Sequence, residues 1–322
     1  EGYFPKGVRK YDEALRRHRL RREIVATVVA NDAINRCGPS FPTRLMDAAS
    51  CDVTAFVTAY EAAKAVLGLP ALWDAVSALD AQVPHTVPAA GQMALYRRLA
   101  YTLRGETFWL ARRAARTGGG VEDLIKRYGP GTATLKKLVP DILSPVERDQ
   151  TEAQVLKLTE AGAPEGLARQ VANLQPLTLA VDLVDLAEAS SWPLAPVARL
   201  YHQVGRAFAF DRLRAAVGAF TAGDAFERTA VRRLVEDLLA EQAALTRAIM
   251  TFAGSSQAGD GVEAAQKAIG SWSALRREPA EAARKAIEEI EAASGGWTFA
   301  KLTIANAALR ELAAAEAVKK RR

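Results

Sequence analysis

The sequence is poor in the residue types that hold metal ions or form disulfides. It contains three histidines and two cysteines in 322 residues, and His18, His85 and His202 lie far apart in the chain. No His-x3-His or Cys-x2-Cys pair gives the ligand spacing of a zinc site. Cys37 and Cys51 provide no disulfide framework and are typical of a reducing compartment. We predict no metal site and a cytoplasmic location.

Long apolar runs are also missing. Hydrophobic residues make up 49% of the chain and charged residues 25%, as in ordinary globular proteins, and no apolar run is long enough to cross a bilayer. The first residues, "EGYFPKGVRKYDEALRRHR", carry charges but no apolar core of a secretory signal. The sequence therefore predicts a globular protein that is neither disordered nor inserted in a membrane.

The glycine motifs that bind nucleotide phosphates are absent. "TGGGVEDL" follows no predicted strand and lacks the G-x-G-x-x-G spacing, and "YGPGTATLKK" lacks the Gly-Lys-Ser/Thr ending of a P-loop. A dinucleotide fold needs βαβ units, and none can be assembled from this chain. We therefore predict no cofactor, catalytic or metal-binding residue within these 322 residues.

What the sequence does contain is helical periodicity in nearly every segment. No stretch shows sustained alternation bounded by hairpin turns, so we predict an all-α fold, an irregular multi-helix bundle. Ser144 and Glu147 form a capping box at the start of one helix, and Gly162 can end it. A long helix is predicted at about residues 224–253, opened by Asp224 and closed by Gly254.

Glycine composition also predicts the domain organisation. The clearest break is "RTGGGVEDL", and we predict a boundary there. Residues 1–117 would form an N-terminal helical subdomain. Residues 118–322 would form a C-terminal one that contains the long helix.

The net charge of +6 includes two basic clusters, "LRRHRLRR" at residues 15–22 and "VKKRR" at residues 318–322. Such clusters can attract nucleic acid or acidic proteins, so a free-standing basic helical module that binds one of them is an alternative function. No aromatic residues alternate with the basic ones and no recognition motif is present. We therefore favour a solvated helix face and a solubilising tail, and nucleic acid is not an expected partner.

The segment at residues 20–41, "LRREIVATVVANDAINRCGPSF", combines a broad apolar face with polar residues at helical spacing. Thr27, Asn31 and Asn35 recur at i, i+4 and i+8, and Arg36 can pair with Asp32 on the adjacent side. Asparagine within a buried helix requires hydrogen-bond partners, so we interpret the three as a buried network. The alternative is a functional interface. Its packing or interface candidates are Thr27, Asn31, Asn35 and Arg36.

Substitution of Asn31 or Asn35 by alanine is accordingly predicted to destabilise the fold or to weaken docking. The apolar face of the same helix is predicted to be buried. Its members are Leu20, Ile24, Val25, Val28, Val29 and Ile34.

This segment closely resembles the C-terminal helical region of the large bacterial NAD-dependent glutamate dehydrogenases. The resemblance lies in Leu-Arg-Arg-Glu-Ile followed by the threonine, the two asparagines and Gly-Pro-x-Phe, and in "YFPKGVRKYDEALRRHRLRRE" before it. Further similar blocks are "AYEAAKAVLGLPALWDAVSALD", "LYHQVGRAFAFDRLRAAV", "FERTAVRRLVEDLLAEQAALTRAI" and "LTIANAALREL". Together these blocks extend along nearly all of the chain.

The resemblance implies a parent enzyme that oxidises L-glutamate to 2-oxoglutarate and ammonia with NAD as hydride acceptor. In that family the nucleotide domain and the catalytic lysine precede the segment seen here, so NAD is expected in the parent and not in this chain. The chain begins at Glu1 and its first methionine is Met46, and we expect it to start inside a longer protein. The expected partners are the catalytic region of the same polypeptide and, in a homo-oligomeric parent, further subunits.

Overall fold

The structure is a computed structural model that describes residues 11–79, 87–254, 259 and 261–314. Within these residues all regular secondary structure is helical, which confirms the all-α prediction. Helices α1 to α7 are Asp12–Arg16, Arg21–Cys37, Phe41–Ala49, Val53–Val66, Leu69–Ala78, Ala89–Thr117 and Val121–Ile142. Helices α8 to α12 are Pro145–Glu160, Glu165–Ala172, Leu174–Leu177, Ala180–Ser190 and Leu194–Ala207. Helices α13 to α17 are Phe210–Ala219, Ala225–Ala253, Val262–Leu275, Arg277–Ala292 and Phe299–Ala314.

The chain divides into two compact units, which we call the N-terminal unit (Glu1–Lys126) and the C-terminal unit (Arg127–Arg322). The division falls within α7, whereas the boundary predicted at residues 117 and 118 lies before that helix. The subdomain limits taken from the glycine-rich segment therefore stay a prediction.

The core of the N-terminal unit lies between α4 and α6, which pack along each other. Helix α6 contributes Leu95, Leu99 and Leu103, all fully buried, and α4 contributes small residues such as Ala59 and Ala63. Alanine lets two helix backbones approach closely, and the leucines fill the space around the contact. Helix α2, described below, joins this core through its C-terminal end.

In the C-terminal unit, the sequence signals at both ends of α8 are confirmed. The Ser144 side chain accepts a hydrogen bond from the Glu147 backbone N–H at 3.2 Å, and the Glu147 carboxylate accepts one from the Ser144 N–H at 2.9 Å. After the helix, Gly162 has a φ of +95°, a conformation that side chains other than glycine rarely adopt. The capping box and the glycine stop therefore fix the ends of α8 from local sequence alone.

The long predicted helix is α14, with Asp224 accepting from the Glu227 N–H at 2.8 Å and Gly254 following its last turn. Its apolar stripe is buried at Leu234, Leu238, Leu245 and Ile249. Phe252, in the last turn of the helix, falls outside this buried stripe and is 43% exposed.

Candidate functional site

Helix α2 packs into the N-terminal unit only through its C-terminal end, where Ala33 and Cys37 are buried. Successive residues of a helix are separated by about 100°, so Ala26 and Ala30 lie on the same face as Ala33. Both are nevertheless exposed. The face that packs at one end of α2 is therefore uncovered along the rest of the helix.

This uncovered face is one wall of a groove of about 850 Å³. The other wall comes from α3 and α4, through Met46, Val53 and Phe56. Phe56 is anchored by an edge contact with Phe41, with ring centroids 5.9 Å apart. Aromatic packing beneath the groove makes its floor part of the core and not a movable lid.

Arginines surround the end of the groove at the start of α2. Arg16, Arg17, Arg19, Arg21 and Arg22 line it, together with His18. Arg17 contacts Glu13 at 2.7 Å, but both side chains are about 80% exposed and such a pair is weak. The second basic cluster of the sequence, residues 318–322, lies outside the described residues.

The candidates Thr27, Asn31 and Asn35 lie on the side of α2 roughly opposite the groove, and all three are exposed. The Thr27 hydroxyl donates to the Glu23 carbonyl oxygen of its own helix at 2.8 Å. A network buried within this chain is therefore the wrong interpretation for these three residues. Their role at an interface stays a prediction.

The predicted apolar face needs a similar correction. Leu20 is 44% exposed, Val25 53% and Ile34 40%. Ile24, Val28 and Val29 are half-buried. The described part of the chain therefore leaves much of the predicted face in water.

The fourth candidate, Arg36, belongs to a cluster of charged side chains between α2 and α4. Its Nε donates to Asp32 Oδ1 at 2.6 Å, which confirms the predicted pair. Asp32 Oδ2 accepts from the Tyr60 hydroxyl at 2.8 Å and from Lys64 Nζ at 2.9 Å. Burial raises the pKa of Asp32, but the hydrogen bonds from Lys64, Tyr60 and Arg36 outweigh it and hold the pKa below the ordinary value.

The Asp32 cluster holds the C-terminal half of α2 in place. The Arg36 guanidinium stacks over the ring of Trp73 on α5, 3.5 Å from the centroid. Because Asp32 also binds Tyr60 and Lys64 of α4, the second half of α2 is fixed to both α4 and α5. The groove is therefore bounded by a helix of fixed direction.

A second cluster, in the C-terminal unit, joins α8, α12 and α13. The Glu147 carboxylate accepts from His202 Nδ1 through Oε2 and from Arg214 Nη2 through Oε1, both at 2.9 Å. Their side chains are 13%, 2% and 17% exposed, so the charges are largely withdrawn from water. Burial acts to raise the pKa of Glu147, but His202 and Arg214 lower it to about 2.

This cluster extends to α14 through Gln242, which is fully buried. Gln242 Oε1 accepts from Arg214, and its Nε2 donates to the Tyr201 carbonyl oxygen at 2.8 Å. Gly205 lies against the same amide, since a Cβ built on this glycine would be 2.8 Å from Gln242 Nε2. Every charged group of the cluster has a partner inside the unit, so its arrangement serves packing.

Other chemistry is limited in the described part of the chain. Among these residues, no group of three or more His, Cys, Asp or Glu side chains could hold a metal ion. Burial raises the pKa of the Cys37 thiol to about 11, so its nucleophilic thiolate is scarce at neutral pH. No single described helix has the length and apolar composition of a membrane span. Helices α4 and α5 together have that length and composition, but the pair is bent by 67° at the break between them. His85 lies outside the described residues.

Comparison with known proteins adds the decisive observation. The family model described as "Glutamate dehydrogenase, C-terminal" matches residues 1–311. The chain belongs to this family. The chain is 30% identical over 287 residues to the NAD-specific glutamate dehydrogenase of Halomonas elongata. It is 28% identical over 304 residues to that of Pseudomonas aeruginosa and 24% identical over 312 residues to that of Mycobacterium tuberculosis.

These alignments cover 89%, 94% and 96% of this chain, but only 17–18% of the relatives. The glutamate dehydrogenase C-terminal domain therefore corresponds to less than a fifth of each relative.

Sequence reasoning missed most of the residues that organise the two clusters. Lys64 could have been noticed, because it is the single basic residue of the apolar segment "VTAFVTAYEAAKAV" and follows Tyr60 by one helical turn. Glu147 was identified only as a cap, and nothing local indicates that His202 and Arg214, at 55 and 67 residues from it, reach the same carboxylate.

Proposed function

We propose that this chain is the non-catalytic C-terminal helical domain of a NAD-dependent glutamate dehydrogenase. The parent reaction converts L-glutamate, NAD+ and water to 2-oxoglutarate, ammonia and NADH. The relatives are NAD-specific glutamate dehydrogenases, which supports the parent activity, and their greater length supports a catalytic region outside this chain. We accordingly place NAD in the parent and assign no catalytic residue here.

The proposed role of the domain is to pack on the catalytic region of the same polypeptide. The observation that carries this role is the uncovered face of α2, where Val25 is 53% exposed and Ala26 and Ala30 are exposed beside it. In proteins most of the stability of a helix comes from the packing of its apolar face against a neighbour. Exposed contiguous apolar patches mark interaction sites.

The alternative of a basic module for nucleic acid gains little support from the structure. The arginines are gathered around an apolar groove, whereas nucleic-acid surfaces place them along a polar face that follows phosphates. We also propose that the parent is a homo-oligomer whose subunits are joined or regulated through this domain. Light scattering of the whole enzyme measures the number of subunits.

The test of the proposed function is spectrophotometric. The parent enzyme, given glutamate and NAD+, should form NADH, and the 322-residue chain alone should form none. Turnover by the isolated chain would overturn the assignment. A parent that forms no NADH from glutamate would overturn the proposed reaction.

A further inference from the structure

The groove of the N-terminal unit has the size of a site for one helix face. Its α2 wall runs from Arg21 to Ile34, which at 1.5 Å per residue is about 20 Å. A helix of about 13 residues has the same length. Since Val25, Ala26 and Ala30 are exposed, the groove is open to water on one side. The groove can therefore accept one face of a helix and leave the other face in water.

The surface of α2 inside the groove suits close helix packing. Ala26 and Ala30 continue the spacing of the buried Ala33 and Cys37, at steps of four, three and four residues. These positions form one stripe on a helix, and alanines there let a neighbouring helix approach. Val25 and Val29 flank the stripe and supply apolar area. The same stripe is already covered at its C-terminal end by this chain's own helices.

The charge of the groove is one-sided. Five arginines and His18 line the end beside the start of α2, and the described residues that line the groove include no Asp or Glu. The N-terminus of α2 adds the positive end of its helix dipole to the same region. An occupant that matches this surface is apolar along one face and acidic at one end.

A second copy of this chain that docks through the same groove matches it poorly. Its groove would bring the same arginine-rich rim and, among the described lining residues, no carboxylate to the contact. The relatives, by contrast, are more than five times as long as the region they share with this chain, because that region is only 17–18% of their length. The rest of the parent polypeptide thus offers a large amount of chain, tethered at high effective concentration.

We propose that the groove binds one amphipathic helix from the rest of the parent polypeptide, with acidic residues at the end beside Arg19 and Arg22. The helix buries its apolar residues against Val25, Val29 and Phe56. This inference rests on the proposed function, and it adds the chemistry of the partner and the residues that meet it.

The first experiment locates the occupant in the whole parent enzyme. A photo-crosslinking amino acid is placed at Val25, and the products are identified by mass spectrometry. The matched control carries the probe at Leu156 of α8, which is 56% exposed against 53% for Val25. We expect the Val25 probe to capture a helical peptide from outside residues 1–322 that has an apolar face and an acidic end. The Leu156 probe should not capture that peptide.

The second experiment measures cover over α2. Hydrogen exchange of residues 21–30 should be at least tenfold slower in the parent than in the isolated chain. Val25→Asp in the parent should abolish that protection, and Leu156→Asp should preserve it. Paired substitution of Arg19→Glu and Arg22→Glu should also reduce the protection, whereas Arg228→Glu and Arg233→Glu on α14 should leave it unchanged.

Three results would overturn the proposal. One is a crosslink from Val25 to a second copy of residues 11–79, which would make the groove a dimer contact. Another is a captured peptide without acidic residues. The third is α2 protection that survives Val25→Asp. None of these alters NADH formation by the parent, so failure of the groove assignment is distinguishable from failure of the proposed function.

Discussion

In the C-terminal unit the side chains of Glu147, His202 and Arg214 are buried together in one hydrogen-bonded cluster, whereas in the N-terminal unit apolar side chains such as Val25 and Ile34 face water. Both arrangements are costly for a chain on its own. Burying charges carries a large desolvation cost, and exposing apolar surface forgoes the hydrophobic gain. The first cost is offset inside the C-terminal unit, because each charge has its partner there.

The second cost is not offset within the described residues of the N-terminal unit. Around Ala33 and Cys37 the same face of α2 is buried, so this face can pack against a neighbouring helix. The buried polar cluster of the C-terminal unit therefore marks completed packing, and the exposed apolar side chains of the N-terminal unit mark incomplete packing. The following substitutions separate these two interpretations.

The largest expected effect comes from removing the buried carboxylate. Glu147→Gln leaves His202 and Arg214 without their anionic partner, so the free energy of unfolding should fall by about 3–5 kcal/mol. Urea denaturation followed by circular dichroism measures this loss. Glu152→Gln is the control on the same helix, because Glu152 pairs with Arg169 at 2.6 Å but is 59% exposed, and it should cost about 0–1 kcal/mol. Equal losses in the two variants would contradict a buried, paired Glu147.

The pH dependence of stability should reveal the same group. The pKa of Glu147 is lowered from 4.5 to about 2 in the folded chain, so its stabilisation is complete above pH 4.5 and is lost as the pH falls towards 2. The difference amounts to about 3 kcal/mol. Urea denaturation at a series of pH values should show this loss in the unmodified chain, and Glu147→Gln should lack that part of it. An unchanged pH profile in the variant would show that other carboxyls are responsible.

A smaller effect is expected at Gly205. Its alanine variant places a Cβ 2.8 Å from Gln242 Nε2, which forces the buried amide to shift and should cost about 1–3 kcal/mol. Gly270 in α15 has nothing within 4 Å of such a Cβ, so Gly270→Ala should stabilise the chain by about 0.5–1 kcal/mol. Thermal unfolding distinguishes the two by opposite shifts of the midpoint. Two shifts of the same sign would refute tight packing of Gln242 on Gly205.

In the isolated chain, Val25→Asp should change the free energy of unfolding by no more than about 0.5 kcal/mol, because the side chain is already in water. Leu99→Ala in the same unit is the contrast, since Leu99 is fully buried and its truncation should cost about 2–5 kcal/mol. Urea denaturation measures both. A large loss for Val25→Asp would mean that the groove is closed by this chain itself, and the two units would then no longer differ.

The smallest effect is expected at Asn31. The side chain is exposed on the face away from the groove, so Asn31→Ala should leave stability unchanged or raise it by a few tenths of a kcal/mol through helix propensity. A buried network would instead predict a loss of stability. Thermal unfolding of Asn31→Ala and Asn35→Ala, with Thr43→Ala on α3 as an exposed control, measures it. Destabilisation by more than about 1 kcal/mol would restore the buried interpretation.

The helices themselves were predictable because their signals are local. Ser144, Glu147 and Gly162 set the ends of α8, and Asp224 and Gly254 set those of α14, each through contacts within about four residues. Pair contacts one turn apart, such as Asp32 with Arg36, follow from the same regularity. For the candidate site, the helix within residues 20–41 was predicted correctly, but the side of that helix that is buried was not. The role of the helix at an interface stays a prediction.

That failure has a physical cause. The apolar and polar residues of α2 define faces of a helix, and periodicity gives their angles but not which one meets a neighbour. The choice was made by Asp32, whose contacts with Tyr60 and Lys64 on α4 orient the helix about its axis. Tyr60 and Lys64 follow Asp32 by 28 and 32 positions in the sequence, and no local pattern encodes a pairing over such a distance.

The sequence by itself determined the helical class of this chain, the ends of its best-capped helices and its resemblance to the glutamate dehydrogenase C-terminal family, because each depends on short segments with their own propensities and spacings. Only the tertiary structure decided that Glu147 closes a buried charge cluster and that α2 leaves an arginine-rimmed groove open. Both depend on which distant helices meet, and the sum of many small burial and hydrogen-bond energies over the whole fold sets that choice.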